Sequence, residues 1–269
     1  MGADYRGRRG KGIAAGSVRN VLSRKPLRSP HAPTEIDSHE GRPYWLWIPE
    51  GPPPWPGMVI VHGAGSRKEN HADFGRACAA AGWAAVAYDQ RGHGEAGDEM
   101  SPRAVGDVER MARFLAARDG VDPSRICVRG SSMGGFVAIH AAAGWGQAVA
   151  TVAICPAPED LLLRGLRSER LVEFEMDREA LEPWLEALDL YEAVGRLGPK
   201  TALLLMHAEG DEQIPYTVSQ ELHAAATEPK RLLVLPGGHH RSLQHDGEMQ
   251  GESLRFIERT TKTRARGSG

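Results

Sequence analysis

The sequence predicts an α/β fold built on a parallel sheet, and three observations support this prediction. Several short apolar runs show no polar alternation, as expected for strands that are buried on both faces of a sheet. Helical stretches separate these runs, which is the pattern of parallel strands joined by crossover helices. The length of 269 residues, with 41% hydrophobic and 25% charged residues, suits one large α/β domain or two small ones.

The predicted elements follow one another regularly along the chain. Residues 43–48 predict an early strand, and the prolines from Pro49 to Pro56 then force a loop. Apolar residues at helical spacing indicate a helix over residues 102–118. The remaining elements are strand 58–61, helix 71–81, strand 84–88, strand 126–128, a helix starting near residue 136, and strands 148–154, 202–206 and 232–235.

One connection is longer than a crossover requires. More than forty residues separate the strand that ends at Ile154 from the strand that starts at Ala202. A crossover helix near Leu185 is expected in any such fold. The rest of residues 156–198 predicts a small helical cap over the carboxyl edge of the sheet, where ligands bind in open α/β sheets. A segment that only packs against the rest of the domain, without covering a ligand site, would explain its apolar residues nearly as well.

The most informative motif is the pattern G-x-S-x-G, present as Gly130-Ser131-Ser132-Met133-Gly134. It follows the apolar run 126–128 and precedes the helical segment that starts near residue 136, so a strand, a tight turn and a helix surround it. Glycines two residues before and after Ser132 leave room for closely packed backbone. This turn exposes the Ser132 hydroxyl and places the first amides of the next helix beside it.

Over roughly residues 40–260 the chain resembles the α/β-hydrolase superfamily, in its serine esterase and acyl-peptidase-like branch. Four pieces match in the expected order: the loop His62-Gly63-Ala64-Gly65, the turn at Ser132, an acid after a late strand, and a histidine after the last strand. The resemblance implies an α/β-hydrolase fold, with a mostly parallel central sheet, helices on both faces and a small helical cap insertion.

The resemblance also implies an acid and a base for Ser132. Residues 207–215 resemble the family segment H-G-x-x-D-x-x-V-P, with Ala208 and Ile214 as departures, and this assigns Asp211 as the acid. Residues 235–241 contain two adjacent histidines, of which His240 fits the family loop better, so His240 is the first candidate for the base and His239 the alternative. The chain order Ser132, Asp211, His240 is the order expected of this fold.

These residue types match the chemistry of acyl transfer. A serine hydroxyl is a weak nucleophile until a base removes its proton, and histidine titrates near working pH. An aspartate on the far ring nitrogen fixes the tautomer of that histidine. The amide of Met133 is expected to donate to the oxyanion, and the resemblance adds the amide of Ala64. We therefore expect no cofactor and no metal.

Three other assignments are weaker. Asp89, in the loop after the second strand of the parallel set, is the second candidate for the acid. A metal cluster of His239, His240 and His245 is disfavoured, because adjacent histidines point apart and no carboxylate has metal-site spacing to them. A dinucleotide site at Gly63 fails, because the third glycine of its motif falls at Lys68.

The predicted function is that of a serine hydrolase, most simply a carboxylesterase, that acts on a small-molecule ester or related acyl compound through an acyl-enzyme. A peptidase or thioesterase of the same fold is the alternative within this class, because the catalytic residues do not select the acyl donor. A hydrolase-fold protein that binds a ligand without catalysis is the alternative outside it.

Charge and composition limit the partners and the cellular location that we expect for the protein. The formal net charge of −2 gives no reason to expect a nucleic acid partner, and no stretch is long enough to span a membrane. Three cysteines without metal or redox spacing are expected to be buried free thiols, which favours a cytoplasmic location. The sequence leaves open whether the protein is a monomer or a homodimer.

The predicted domain organisation has three parts. Residues 1–40 are expected to form a basic, flexible N-terminal arm, because the first 28 residues hold eight basic side chains against one acid. Residues 41–260 form the hydrolase domain, with the cap insertion at residues 156–198. Residues 261–269 are expected to be a flexible tail.

Overall fold

A computed structural model describes residues 32–168 and 174–267, with backbone alone for the last six of these. The prediction of a basic arm falls mainly on residues 1–31, which lie outside the described residues.

Eight strands form a single sheet in the order β1-β2-β4-β3-β5-β6-β7-β8. The first two strands are antiparallel to their neighbours, and every later pair is parallel. The predicted α/β fold with a mostly parallel sheet is therefore confirmed. The strands are β1 (Glu35–His39), β2 (Arg42–Trp47), β3 (Trp55–Val61), β4 (Ala84–Tyr88), β5 (Val121–Ser131), β6 (Ala150–Ile154), β7 (Ala202–Ala208) and β8 (Lys230–Leu235).

Helices cover both faces of this sheet. A short 3-10 helix, Lys68–His71, leads into the first α-helix. The α-helices are α1 (Ala72–Ala80), α2 (Ala104–Ala116), α3 (Met133–Trp145), α4 (Glu159–Arg167), α5 (Arg178–Glu186), α6 (Leu190–Leu197), α7 (Thr217–Ala225), α8 (Ser242–His245) and α9 (Gly247–Gly267). None of these described helices has the length and apolarity needed to cross a membrane.

The core has two layers because alternate residues of each strand point to opposite faces. In β3, Val59 and Val61 join a cluster with α2 to α7, whereas Met58 and Ile60 join a cluster with α1 and α9. Residues of β3 to β7 are almost entirely buried, which accounts for their continuous apolar runs. The central strands thus place their carboxyl ends, including Ser131, at one edge of a rigid sheet.

The long connection between β6 and β7 contains α4, α5 and α6. Helices α4 and α5 pack together through buried leucines, among them Leu162 and Leu166 on α4 and Leu181 and Leu185 on α5. Helix α6 packs against α3 and serves as a crossover helix. Residues 169–173, between α4 and α5, lie outside the described residues. The assignment of residues 156–198 as a cap stays a prediction.

Secondary structure lies close to both predicted domain boundaries. Strand β1, residues 35–39, lies inside the predicted arm of residues 1–40 and pairs with β2, so that boundary falls in the turn between the two strands. At the other end, α9 runs from Gly247 to Gly267, so the boundary at residue 260 lies inside a helix. The division into arm, hydrolase domain and tail otherwise remains a prediction.

Candidate active site

The serine turn has the backbone geometry that the motif requires. Ser132 lies between β5 and α3 with φ 54° and ψ −124°, a conformation that side chains rarely adopt. Its amide donates to the carbonyl of Ile154 at 2.8 Å, and its own carbonyl accepts from the amides of Gly135 and Ala157 at 2.9 and 3.2 Å. Backbone hydrogen bonds from several elements therefore hold the strained residue in place.

The glycines around this turn allow backbone to pack on backbone. A β-carbon at Gly130 would meet the carbonyl of Gly134, and one at Gly134 would meet the carbonyl of His62. A β-carbon at Gly63 would lie 3.1 Å from the carbonyl oxygen of Ser131. The loop that follows β3 thus lies directly against the serine turn, which brings Ala64 to the same site as Met133.

Asp211 follows β7 and is fixed by donors on both of its carboxylate oxygens. Oδ1 accepts from the amides of Gln213 and Ile214, each at 2.9 Å, and Oδ2 lies 2.8 Å from Nδ1 of His240. Burial alone would raise the pKa of Asp211, but hydrogen bonds from His207, His240 and these amides lower it far below its usual range. The Asp211 side chain is therefore a carboxylate at any working pH.

His207 is a second partner of Asp211, to which the sequence assigned no role. Its Nε2 lies 3.0 Å from the carbonyl oxygen of Ile214 and 3.3 Å from Oδ2 of Asp211, and its Nδ1 lies 2.7 Å from Oγ of Ser219. These partners assign the proton to Nε2, with Nδ1 accepting from the serine hydroxyl. The sequence signal for this role is a titratable residue near the end of a fully buried strand, because a buried titratable group needs hydrogen-bond partners.

The two adjacent histidines have different surroundings. His240 is buried, with Nδ1 on Asp211, and its amide donates to Oε2 of Glu212 at 3.1 Å. His239 is exposed, and its Nδ1 accepts from the amide of Arg241 at 3.3 Å. The structure therefore joins His240 to Asp211 and leaves His239 at the surface.

A cavity of about 830 Å³ lies over the serine turn, large enough for a small-molecule ligand. Ser132, Met133, Ala64 and His240 all line it, and Asp211 lies behind His240 with its side chain fully buried. Helix α4 contributes Leu161 and Leu162 to the wall. The five residues that the sequence selected therefore lie together.

Asp89, the second candidate for the acid, has a different set of partners. It accepts hydrogen bonds from the amide and Nζ of Lys68, at 2.8 and 2.7 Å, and from the amide of Glu95 at 2.9 Å. Both Asp89 and Lys68 are buried. This ion pair joins the loops that follow β3 and β4, and the carboxylate is not bonded to either candidate histidine.

His62 shapes the loop that carries Ala64. Its Nδ1 lies 2.8 Å from the carbonyl oxygen of Gly63, and its Nε2 lies 3.0 Å from the amide of Gln90. The amide can only donate, so Nε2 accepts and Nδ1 carries the proton. Burial, together with the neighbouring His93, lowers the pKa of His62 to about 4. His62 is therefore neutral and structural at neutral pH.

Among the residues that the structure describes, one group could hold a metal ion. Ligand atoms of Cys155, Asp211 and His240 lie within 4.8 Å of one another. Burial raises the pKa of the Cys155 thiol, which opposes the thiolate that a metal requires. Of the three histidines considered as a metal cluster, His240 bonds Asp211 and His245 bonds Asp73.

Comparisons with known proteins agree with this architecture. Residues 53–162 match the family model described as serine aminopeptidase, S33. An uncharacterised protein of Mycobacterium tuberculosis is 29% identical over 219 residues, which cover 76% of this chain and 70% of that protein. The quorum-quenching protein AidA of Acinetobacter baumannii is 27% identical over 138 residues, which cover 47% of this chain and 45% of AidA.

Solved structures share the fold. Est1E from Butyrivibrio proteoclasticus, solved with ferulic acid bound, superimposes with a TM-score of 0.67 at 18% identity, over 86% of this chain and 99% of Est1E. The order of the strands, the serine turn after β5 and the matched family model are mutually consistent. This chain has the α/β-hydrolase fold, and its residues 53–162 are similar to the serine aminopeptidase family.

Proposed function

We propose that this protein is a serine hydrolase that cleaves carboxylic esters of small molecules through an acyl-enzyme. Ser132 is the nucleophile, His240 the general base and Asp211 the residue that orients the base. The observation that supports this most directly is the 2.8 Å hydrogen bond between His240 and Asp211 at the wall of the cavity that Ser132 lines.

The roles follow from the proton positions. Asp211 is a carboxylate, so it can only accept, and Nδ1 of His240 must carry the proton of their hydrogen bond. Nε2 of His240 is then the unprotonated nitrogen, which takes the proton of the Ser132 hydroxyl during attack on the ester carbonyl. The carboxylate of Asp211 stabilises the imidazolium that forms.

The tetrahedral oxyanion is stabilised by the amides of Ala64 and Met133. Packing of the loop after β3 against the serine turn holds both amides in place before substrate binds. One such donor typically contributes ~3 kcal/mol of transition-state stabilisation. His240 then protonates the leaving alcohol, and a water activated by the same histidine releases the acid and restores Ser132.

Covalent labelling with a fluorophosphonate tests the nucleophile. The wild type is expected to gain one probe per chain, and Ser132→Ala to gain none. Ser131→Ala is the matched control, because the neighbouring hydroxyl is buried and has no hydrogen-bond partner among the described residues. A folded wild type that stays unlabelled would support a binding protein without catalysis, and labelling that persists in Ser132→Ala would exclude this nucleophile.

A peptidase is the second candidate, favoured by the description of the matched family. Glu212 is the one carboxylate among the described residues that line the cavity, and it could bind the ammonium group of an aminoacyl substrate. A panel of nitrophenyl esters of increasing acyl length, with an aminoacyl anilide and a thioester, separates these activities. We expect the esters to have the highest kcat/KM, and faster anilide cleavage would establish the peptidase instead.

A further inference from the structure

A second histidine–aspartate pair borders the same cavity. Nδ1 of His245, at the end of α8, lies 2.9 Å from Oδ2 of Asp73 on α1. The Asp73 carboxylate also accepts from Nε2 of Gln250 and from the amide of Phe74, each at 2.8 Å. One donor from the next residue of the chain and two from residues 245–250 therefore fix the carboxylate that holds His245.

The protonation of this pair is defined by its partners. Burial would raise the pKa of Asp73, but the hydrogen bond from His245, with those from Phe74 and Gln250, lowers it to about 2. Asp73 is thus an acceptor, and Nδ1 of His245 carries the proton between them. Nε2 is left as the nitrogen with a lone pair when the ring is neutral, and it has no hydrogen-bond partner among the described residues.

His245 lies on a polar part of the cavity wall. Ser66, Asn70 and Gln244 line the cavity with it, and Nδ2 of Asn70 donates to Oγ of Ser66 at 3.2 Å. The backbone of α8 is itself fixed, because the carbonyl of Gln244 accepts from Arg129 and Gln250 at 3.0 and 3.1 Å. Hydroxyl, amide and imidazole groups on this wall offer both donors and acceptors, and Arg241 also lines the cavity.

Other lining residues are apolar, namely Ala64, Met133, Ala157, Leu161, Leu162 and Ile214. The charged residues Arg164, Glu212 and Arg241 also line the cavity. An ester with an apolar acyl group and a hydroxylated alcohol matches this division. The acyl chain would contact the apolar residues, and the alcohol would contact the polar wall, whose donors and acceptors can bond its hydroxyl groups.

We propose that His245, oriented by Asp73, is a substrate-binding residue that accepts a hydrogen bond from a hydroxyl group of the leaving alcohol. The substrate class is then esters of polyhydroxylated alcohols, such as glycerol or a sugar. This inference rests on the proposed ester hydrolysis at Ser132 and adds the identity of the leaving group.

A purely structural role for the pair, joining α1 to α8, makes a different prediction. His245→Asn separates the structural role from the substrate-binding role. The asparagine amide can replace Nδ1 and keep the bond to Asp73, but the variant lacks Nε2, which would bond the substrate. His245→Ala removes both functions. His223→Asn, on α7 and away from the cavity lining, is the matched control.

The test compares glycerol monoacetate with propyl acetate, which has the same acyl group and lacks the two hydroxyls. The wild type is expected to prefer glycerol monoacetate, and both His245 variants to raise its KM about five- to tenfold with little change in kcat, the effect of one lost neutral hydrogen bond. Turnover of propyl acetate and 4-nitrophenyl acetate should stay within about twofold, and His223→Asn should resemble the wild type.

Two results would overturn the inference while leaving the proposed function intact. One is a ratio of kcat/KM for the two acetates that is the same in the wild type and His245→Asn. The other is a kcat/KM that falls equally for all esters in His245→Ala and returns to the wild-type value in His245→Asn, because this result would indicate a purely structural pair. A wild type that hydrolyses no ester and binds no fluorophosphonate overturns both proposals together.

Discussion

Nδ1 of His240 lies 2.8 Å from Oδ2 of Asp211, although 29 residues separate the two in the chain. They meet because β7 and β8 are parallel neighbours that end together, with Ala208 opposite Leu235. Two backbone bonds join the loops beyond these strands, from Glu209 to Leu235 and from Gly210 to Gly237. The geometry of the pair is thus a consequence of strand order.

The two adjacent histidines should differ sharply in their effect on catalysis. His240→Ala is expected to reduce kcat for 4-nitrophenyl acetate by about 10⁴-fold or more, because the base and its link to Asp211 are removed together. His239→Ala should change kcat by less than about threefold, since this side chain is exposed and bonds only locally. Similar rates for the two variants would contradict the assignment of the base.

Replacing the acid by its amide tests the tautomer. In Asp211→Asn the amide can donate toward Nδ1 of His240, which favours the proton on Nε2 and removes the base from Ser132. We expect kcat to fall by about 10⁴-fold, with fluorophosphonate labelling slowed to a similar degree. Glu212→Gln is the control, because its side chain accepts from the amide of His240 and from Nε2 of Gln213 and bonds no histidine ring; a comparable loss there would indicate a different acid.

The packing of the loop after β3 on the serine turn can be tested at two glycines of α3. Gly134→Ala places a methyl group against the carbonyls of Val61 and His62, so the free energy of unfolding should fall by at least ~2 kcal/mol. Gly144→Ala, in the same helix with nothing within 4 Å, should instead raise it by ~0.5–1 kcal/mol. Urea denaturation of both variants measures the contrast, and equal shifts would argue against this packing.

Buried His140 should make stability depend on pH. Burial and the nearby Arg196 lower its pKa to about 4 from 6.5, so between these values the unfolded chain binds a proton that the folded chain does not. The free energy of unfolding should therefore fall with decreasing pH in this window, by about 1.4 kcal/mol per pH unit from this group.

His140→Leu removes this titration, so its free energy of unfolding relative to the wild type should rise as pH falls from 7 to 4. Urea denaturation across that range measures the difference. His239→Leu is the control, because that side chain is exposed and its curve should run parallel to the wild type. A difference between His140→Leu and the wild type that stays constant with pH would contradict the lowered pKa.

Local patterns were enough to predict much of the fold. Strands β3, β4, β6 and β7 are mostly apolar and almost entirely buried, and Ser132 lies in a motif whose flanking glycines have a steric reason. Strand β1 escaped prediction because its residues, from Glu35 to His39, are half-buried or exposed and show no apolar alternation. An edge strand with few buried apolar side chains leaves little trace in the sequence.

Hydrogen-bond partners that lie far apart in the chain were the part of the site that was hardest to predict from the sequence. Asp73 and His245 are 172 residues apart, and no local pattern connects them. The role of His207 was equally hidden, because its partners Ser219 and Ile214 are brought together only when α7 packs beside β7. The proposed catalytic residues were thus found by motif, whereas the residues that hold them in position required the three-dimensional arrangement.

The positive φ of Ser132 creates a conflict between the stability of the protein and its proposed activity. Only glycine adopts φ 54° without a steric penalty, and a penalty of this kind is of order 1–3 kcal/mol. A selection for thermal stability alone would therefore favour glycine at the position where the proposed chemistry needs a hydroxyl. Directed evolution of this chain for heat resistance must screen activity in the same step, or it will enrich stable proteins that have lost the nucleophile.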